Sequence, residues 1–341
     1  MKILVESHIP YIKGLLEPFA EIEYLEPQDF THEKVADADA LIIRTRTRCD
    51  AELLHGSRCK FIGTATIGTD HIDLNYCRNN GIKVCNAAGC NAPAVAQYVI
   101  ATIYQHMQAM HIPSPDALTL GVVGVGHVGS IVARFAQECG FKVLLCDPPR
   151  AEKEDGDFCH LNHLAKNADI ITFHTPLTTD GPHATRHICN EQFLNALDKC
   201  RLLINSARGP IIHTESLLNH LRAIENKMKV AIDCWESEPN INAELLQRAF
   251  VATPHIAGYS AEGKMRGTAM VIEQINAFFG WQATPPSIPV STPTLGASHV
   301  TLQRIAMSYN PLTDTAMLKS TPEEFENMRN HYNLRHEVES L

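Results

Sequence analysis

The stretch "LTLGVVGVGHVGSIVARFAQECG", residues 118–140, decides how the rest of the chain folds. An apolar run without alternation ends in Gly124, Gly126 and Gly129, and a pattern with helical spacing begins at once. Each glycine of this G-x-G-x-x-G has a physical reason. Gly124 permits a tight turn, Gly126 lets a pyrophosphate approach the backbone, and Gly129 lets the helix close on the sheet. His127 and Val128 then lie at the helix N-terminus, the end that faces an anion. The next apolar run, "FKVLLCD", ends in Asp147, 21 residues beyond Gly126. A carboxylate there accepts hydrogen bonds from an adenosine ribose and repels a 2′-phosphate, which predicts NAD as the cofactor. Arg150 pulls the other way, because it could pair with such a phosphate.

Strand-like and helix-like stretches alternate on both sides of this turn. Upstream lie "KILVE", "EIEYLE", "ALIIRT", "CKFIGTA" and "IKVCNAA"; downstream lie "FKVLLCD", "DIITFHT", "RLLINSA", "KVAIDCW" and "FVATPH". The downstream runs are apolar throughout rather than alternating, as expected of parallel strands covered on both faces. The expected class is therefore α/β, with two doubly wound parallel-sheet domains, a cleft between them and a short C-terminal extension. Residues 1–95 would form a substrate-binding domain, completed by a crossing helix over 261–285, and residues 96–258 a dinucleotide-binding domain. Residues 286–341 follow a Pro/Ser/Thr-rich stretch, "WQATPPSIPVSTPTLG", that reads as a linker. The tail after it is expected to be helical, with Thr321 as a cap before Pro322, packed on the body or on a partner subunit.

Composition excludes several classes. At 341 residues, with 45% hydrophobic content, the chain is long for one core and suits two. A net charge of −9 argues against a general grip on nucleic acid or an anionic membrane surface. No secretory signal is evident at the start, and no apolar run reaches the ~18 residues of a membrane span. Eleven cysteines without a CxxC pair fit buried thiols in the reducing cytoplasm. His183 and His187 in "HATRH" have helical spacing but no acidic or cysteine partner beside them, so no metal is expected.

Parallel strands bring distant residues together at their carboxyl ends. Arg208 follows "RLLINSA", Asp233 with Glu236 and Glu238 follows "KVAI", and His255 follows "FVATP". Hydride transfer from a secondary alcohol needs a group to take the hydroxyl proton, and histidine suits that task. A carboxylate on its other nitrogen favours the imidazolium, and an arginine fork holds a substrate carboxylate. Spacing alone does not choose between Glu236 and Glu238. Cys90 or Cys234 as a nucleophile is the weaker reading, because neither has a histidine and an orienting group in evidence. "RTRTR" places Arg44, Arg46 and Arg48 at the end of a strand run, where alternate residues of an extended chain share a face and could converge on a phosphate.

Together "GVVGVGHVG", "FHTPLT", "LLINSARG", "DCWESEP" and "TPHIAGYS" resemble the D-isomer-specific 2-hydroxyacid dehydrogenase family. The likeness implies a flavodoxin-like substrate domain and a Rossmann NAD domain. It implies Arg208, Glu238 and His255 as the catalytic group, and cofactor contacts at Asp147, Thr175, Ser206, Ala207, Arg208, Asp233 and Gly258. "KFIGTATIGTDHID" and "AAGCNAPAVAQYV" narrow it to the members that oxidise 4-phospho-D-erythronate at C2 in vitamin B6 synthesis. In these members the substrate contacts correspond to Thr45, Thr66 and Tyr259. The resemblance runs from residue 1 to about 285, and members of this kind carry a C-terminal dimerisation domain. A homodimer with a shortened version of that domain is therefore implied. The alternatives are a glycerate or phosphoglycerate dehydrogenase and a nonenzymatic NAD-sensing corepressor.

Overall fold

A computed structural model describes residues 1–223, 227–287 and 302–338. Among these, eleven strands form two sheets in which every pairing is parallel. The first contains β1 (Lys2–Glu6), β2 (Glu21–Leu25), β3 (Ala40–Ile43), β4 (Phe61–Thr64) and β5 (Lys83–Asn86), in the order β2-β1-β3-β4-β5. The second contains β6 (Thr119–Val123), β7 (Lys142–Cys146), β8 (Ile170–Phe173), β9 (Leu202–Asn205), β10 (Lys229–Ile232) and β11 (Val251–Ala252). Its order is β11-β10-β9-β8-β6-β7. Both sheets are doubly wound, and the first has the flavodoxin-like order.

The absence of alternation in the strands has a direct structural cause. Leu203, Val230 and Ile232 enter a core on one face of the second sheet, while Leu202, Ile204 and Ala231 enter a separate core on the other. The first sheet is covered in the same way, with Leu4, Leu41 and Ile43 on one side and Ile3, Val5 and Ile42 on the other. A strand buried on both faces has no position at which a polar residue is cheap.

The chain divides into one unit of Met1–Asn91 with Ser260–Thr292 and a second of Ala92–Tyr259 with Pro293–Leu341. The division falls at Asn91/Ala92, ahead of the 95/96 expected, because helix Ala92–Ala109 buries Tyr98, Val99 and Ile103 in the core of the second sheet. Helix Ala261–Phe279 returns to the first sheet, where Val271, Ile272 and Ile275 complete the core, and it ends before residue 285. The linker read in residues 281–296 lies largely outside the described residues.

The C-terminal residues belong to the second unit. Ile305 and Tyr309 join one of its cores, and Leu318 and Phe325 join the other. Helix Pro311–Ser320 covers the edge strand, since Thr315 Oγ1 accepts the Ala252 N–H at 3.0 Å and Lys319 donates to Ala249 O at 2.6 Å. An exposed strand edge is a template for unwanted pairing, and here it is capped from within the chain. Thr321 departs from expectation: its hydroxyl turns back to Met317 O at 3.2 Å and makes no cap bond to the short turn at Pro322–Glu324. No helix among the described residues is long and apolar enough to cross a membrane.

Because Phe325 is 1% exposed, it lies inside this core and not against solvent. Phe325→Ala should lower the unfolding free energy by about 3–5 kcal/mol in urea titration. A loss below ~1 kcal/mol would show that the C-terminal helices do not contribute to folding of this unit.

Candidate active site

Register lines up the carboxyl edge of the second sheet. Cys146, Val123, Phe173, Asn205, Ile232 and Ala252 pair in one row across it. The next residue of each strand is therefore Asp147, Gly124, His174, Ser206, Asp233 and Thr253. Positions about 20 to 50 residues apart in sequence become neighbours because every strand runs the same way.

The glycine turn lies at this edge, where the strand order reverses between β6 and β8. Gly124 has φ +86°, and a Cβ on it would lie 2.8 Å from the Thr175 backbone nitrogen. A Cβ on Gly129 would lie 2.0 Å from Gly124 O, so helix His127–Glu138 can start here only without one. Gly126 faces open space, and both it and His127 are exposed, with Val128 half-buried behind them. Asp147 Oδ2 accepts the Val125 N–H at 2.8 Å, and its Oδ1 accepts the Arg150 N–H at 3.1 Å. The Arg150 guanidinium is committed to Glu154 and to Val125 O, which leaves the carboxylate of Asp147 as the group that flanks the turn.

Beyond β10, Asp233 is buried and its oxygens are shared among loop donors. Oδ1 accepts from Thr253 Oγ1 (2.7 Å) and Ile256 N (2.8 Å), and Oδ2 accepts from Ala257 N (3.0 Å). Burial pushes its carboxyl upward from the ordinary value, against the His255 charge and these donors. The donors flank His255, whose φ of +56° is unusual for a residue with a side chain. Asp233 thus holds the histidine loop.

His255 Nδ1 lies 2.8 Å from Glu238 Oε2, and Trp235 N–H donates to Glu238 Oε1 at 3.1 Å. Burial works to raise the Glu238 carboxyl, but His255, Arg329 and the Trp235 amide outweigh it and hold it below the usual carboxylate range. Glu236 is engaged elsewhere, with His187 Nε2 at 2.6 Å and the Thr214 N–H at 3.0 Å. His183 meets Glu152 at 2.9 Å, so both histidines of "HATRH" have acidic partners that sequence spacing did not reveal.

Arg208 is joined to the same cluster through Asn205. The Asn205 side-chain amide donates to Arg208 O at 2.9 Å and to Cys234 O at 3.1 Å. Cys234 Sγ in turn donates to Ala207 O at 3.4 Å and lies within 4.8 Å of ligand atoms of Glu238 and His255. The Arg208 guanidinium reaches Ala207 O at 2.8 Å. Burial pushes the Cys234 thiol well up, which favours the neutral form packed among its neighbours. Gly258 lies within the turn that Tyr259 N–H closes on Ile256 O at 2.9 Å.

In the first unit the basic run is not an extended strand. β3 ends at Ile43 and the chain turns through Thr45 and Arg46, so alternation does not bring three guanidiniums to one face. Buried Glu6 closes that turn, accepting from Arg44 N at 2.8 Å and Thr47 Oγ1 at 3.1 Å. Arg44 Nη1 donates to His8 O at 3.1 Å, and Arg48 pairs with Asp50 at 2.8 Å. Thr45 is exposed just past β3, and Thr66 lies just past β4 with its hydroxyl 2.7 Å from that of Thr64. Arg44, Thr45, Arg46 and Thr66 are thus gathered at the carboxyl ends of two adjacent strands.

Residues 90–257 match the model of the D-isomer specific 2-hydroxyacid dehydrogenase, NAD binding domain. The chain is 47% identical over 345 aligned residues to erythronate-4-phosphate dehydrogenase of Bacteroides thetaiotaomicron, covering 99% of this chain and 97% of that one. It is 40% identical to erythronate-4-phosphate dehydrogenase of Porphyromonas gingivalis, over 97% and 92% of the two chains. This chain belongs to the D-isomer-specific 2-hydroxyacid dehydrogenase family. A solved NAD-bound 3-phosphoglycerate dehydrogenase of Entamoeba histolytica superposes with a TM-score of 0.70 at 25% identity, covering 82% of this chain and 95% of that one. The family member described here is a homologue of erythronate-4-phosphate dehydrogenase and an NAD-dependent oxidoreductase. The likeness continues past residue 285, where the motifs place its end, since the alignment covers 99% of this chain and 97% of the Bacteroides thetaiotaomicron protein.

The residues present fit NAD. Thr175 Oγ1 and Ser206 Oγ are buried at the carboxyl edge without a protein partner, in need of an outside hydrogen bond. Sequence reasoning missed Asn205, Arg329 and Arg335. A polar residue ending the run "LLIN" was a signal for Asn205. The two tail arginines gave none, because only folding brings them to this loop.

Gly126→Ala and Gly129→Ala should separate binding from folding. The first should keep stability within about 0.5 kcal/mol while weakening NAD binding, whereas the second should also cost about 1–3 kcal/mol. Calorimetric NAD titration beside thermal melts measures both. Unimpaired NAD binding by Gly126→Ala would place the pyrophosphate elsewhere.

Proposed function

We propose that the chain oxidises 4-phospho-D-erythronate at C2 to (R)-3-hydroxy-2-oxo-4-phosphooxybutanoate within vitamin B6 synthesis, as a cytoplasmic homodimer. The observation that carries the reading is the Glu238–His255 pair, 2.8 Å apart beside the Arg208 loop at the edge of an NAD-binding sheet. The near-full-length likeness to enzymes named for this substrate supports the choice of hydroxyacid. Bound NAD would supply the hydride acceptor for oxidation at C2. His255 begins neutral and accepts the C2 hydroxyl proton on Nε2, while Glu238 on Nδ1 fixes the tautomer and stabilises the imidazolium. Arg208 holds the substrate carboxylate with its planar fork.

Asp147 receives the adenosine ribose, Gly124, Gly126, His127, Val128 and Gly129 the pyrophosphate, and Thr175, Ser206, Ala207 and Gly258 the remaining cofactor polar groups. Asp233 acts behind them by holding the loop. Thr45, Thr66 and Tyr259 bind substrate, and Arg44 or Arg46 serves its phosphate. Met307 and Met317, exposed on the C-terminal helices, support a dimer contact there.

An NADH-formation assay with 4-phospho-D-erythronate, D-glycerate and 3-phosphoglycerate, with a 2-oxoacid added to regenerate bound cofactor, tests the assignment. Preference for the erythronate ester is expected; turnover of only the three-carbon acids would overturn it, and no turnover of any would favour an NAD-sensing role. His255→Ala should cut kcat by about 10²–10⁴-fold with NAD affinity retained. Because proton acceptance needs the neutral ring, kcat/KM should rise with pH. Glu238 stays ionised across that rise, so Glu238→Gln removes a charge that favours the imidazolium and should move it to lower pH. An unmoved profile would assign the proton to another group.

Arg44→Ala and Arg46→Ala should be compared on the phosphate ester and on unphosphorylated erythronate. One of them should raise KM for the ester alone. Equal losses on both substrates would remove these arginines from the phosphate site.

A further inference from the structure

The C-terminal segment sends one arginine into the body of the second unit. Arg335 is 9% exposed, and its guanidinium is committed to four acceptors. Nη1 donates to Ile256 O at 3.0 Å, and Nη2 donates to Ala94 O at 3.0 Å and to Ala257 O. Nε donates to Gln97 Oε1 at 3.0 Å, and the Tyr309 ring centroid lies 4.4 Å from Cζ. Gln97 secures the tail from the other side, through Ser308 Oγ at 2.9 Å and His336 O at 3.0 Å.

Two of those acceptors directly follow His255. The N–H groups of Ile256 and Ala257 are given to Asp233, and their carbonyls are given to Arg335. Both residues are therefore clamped through donor and acceptor alike. A left-handed backbone at a residue with a Cβ persists only where its surroundings over-determine it, and His255 at φ +56° is such a residue. Burying a guanidinium costs desolvation that an apolar side chain of similar size would avoid. A charged fork aimed at these carbonyls is explained by geometry it imposes, since packing alone would be cheaper without it.

We propose that Arg335 is a positioning residue for His255, and that the C-terminal segment is in this way part of the active site. The proposal rests on the reading of His255 as the proton acceptor. Arg335 touches neither Glu238 nor the imidazole; it acts through the two peptide units that carry the ring. The segment then has a task within its own subunit, whatever its part in association.

The test uses the full-length protein and the variants Arg335→Met, Arg335→Lys and Gln97→Met. Hydrogen–deuterium exchange over residues 253–260 reads the loop without substrate, and steady-state kinetics with 4-phospho-D-erythronate read the chemistry. Arg335→Met should speed exchange at Ile256 and Ala257 by at least about tenfold, as expected when the clamp opens, with β8 unchanged. It should lower kcat by about 10²-fold while KM and NAD affinity change little, because a displaced ring slows proton transfer. Arg335→Lys should recover part of both losses, and Gln97→Met, which frees one arm of the fork, should show a milder form of both. If Arg335→Met does not fold, the lysine and Gln97 variants carry the decision. Unchanged loop exchange, a loosened loop with unchanged kcat, or loss of protection spread evenly over the sheet would each overturn the proposal. If the unmodified enzyme turns over no 2-hydroxyacid, the functional reading fails, while the exchange result still decides whether Arg335 holds the loop.

Discussion

Burying a carboxylate is expensive unless donors replace the water it loses, and Asp233, 1% exposed, has them in the Thr253 hydroxyl and two consecutive backbone amides. Those amides directly follow His255, the position in the loop where the backbone is left-handed with a side chain attached. Without the buried acid, the Ile256 and Ala257 N–H groups would have no acceptor, and the loop could relax toward ordinary dihedral angles. The imidazole would then leave Glu238. The site thus depends on an acid that need not touch the substrate, placed by the last turn of a parallel strand and made costly by its own burial.

Parallel sheets explain why so few residues suffice. Strand register alone sets Asp147, Gly124, Ser206, Asp233 and Thr253 along one edge. Asn205 then ties neighbouring strand ends together by donating to carbonyls on both, which fixes the Arg208 loop against the Cys234 loop. Side chains on such short, cross-tied loops lose little further entropy when a ligand arrives, and that is the physical meaning of a prepared site.

Charge is distributed with the same economy. Arg329, from the C-terminal helix Phe325–Asn330, is opposed by its own burial but sustained by Tyr259 and the carboxylates of Glu238 and Glu326. It helps keep Glu238 ionised although that carboxyl is largely buried. Glu236, two residues earlier, spends its charge on His187 and the Thr214 amide, and so does not compete for His255. Two acids in "WESEP" are separated in role by which neighbour each meets.

The sequence by itself determined the class of fold, the eleven strands, the glycine turn and the residues Arg208, Glu236, Glu238 and His255 as candidates. Non-alternating apolar runs, glycine spacing and polar residues at strand ends are local signals, and local signals survive in one dimension. It misjudged "RTRTR", because the turn after Ile43 is closed by Glu6 from another strand, a contact no window around residue 44 contains. It read Thr321 as a cap, but the preceding helix claims that hydroxyl. The resemblance implies Glu238 as the partner of the histidine; only the tertiary structure shows that Glu236 is held instead by His187 and the Thr214 amide, and that Asp233 serves the loop. Only it brought Arg335, 80 residues beyond His255, to the carbonyls on which the loop rests. The reason is the same in each case: a hydrogen bond between distant segments is fixed by the path of the chain through space, and residue type supplies the donor without naming the acceptor.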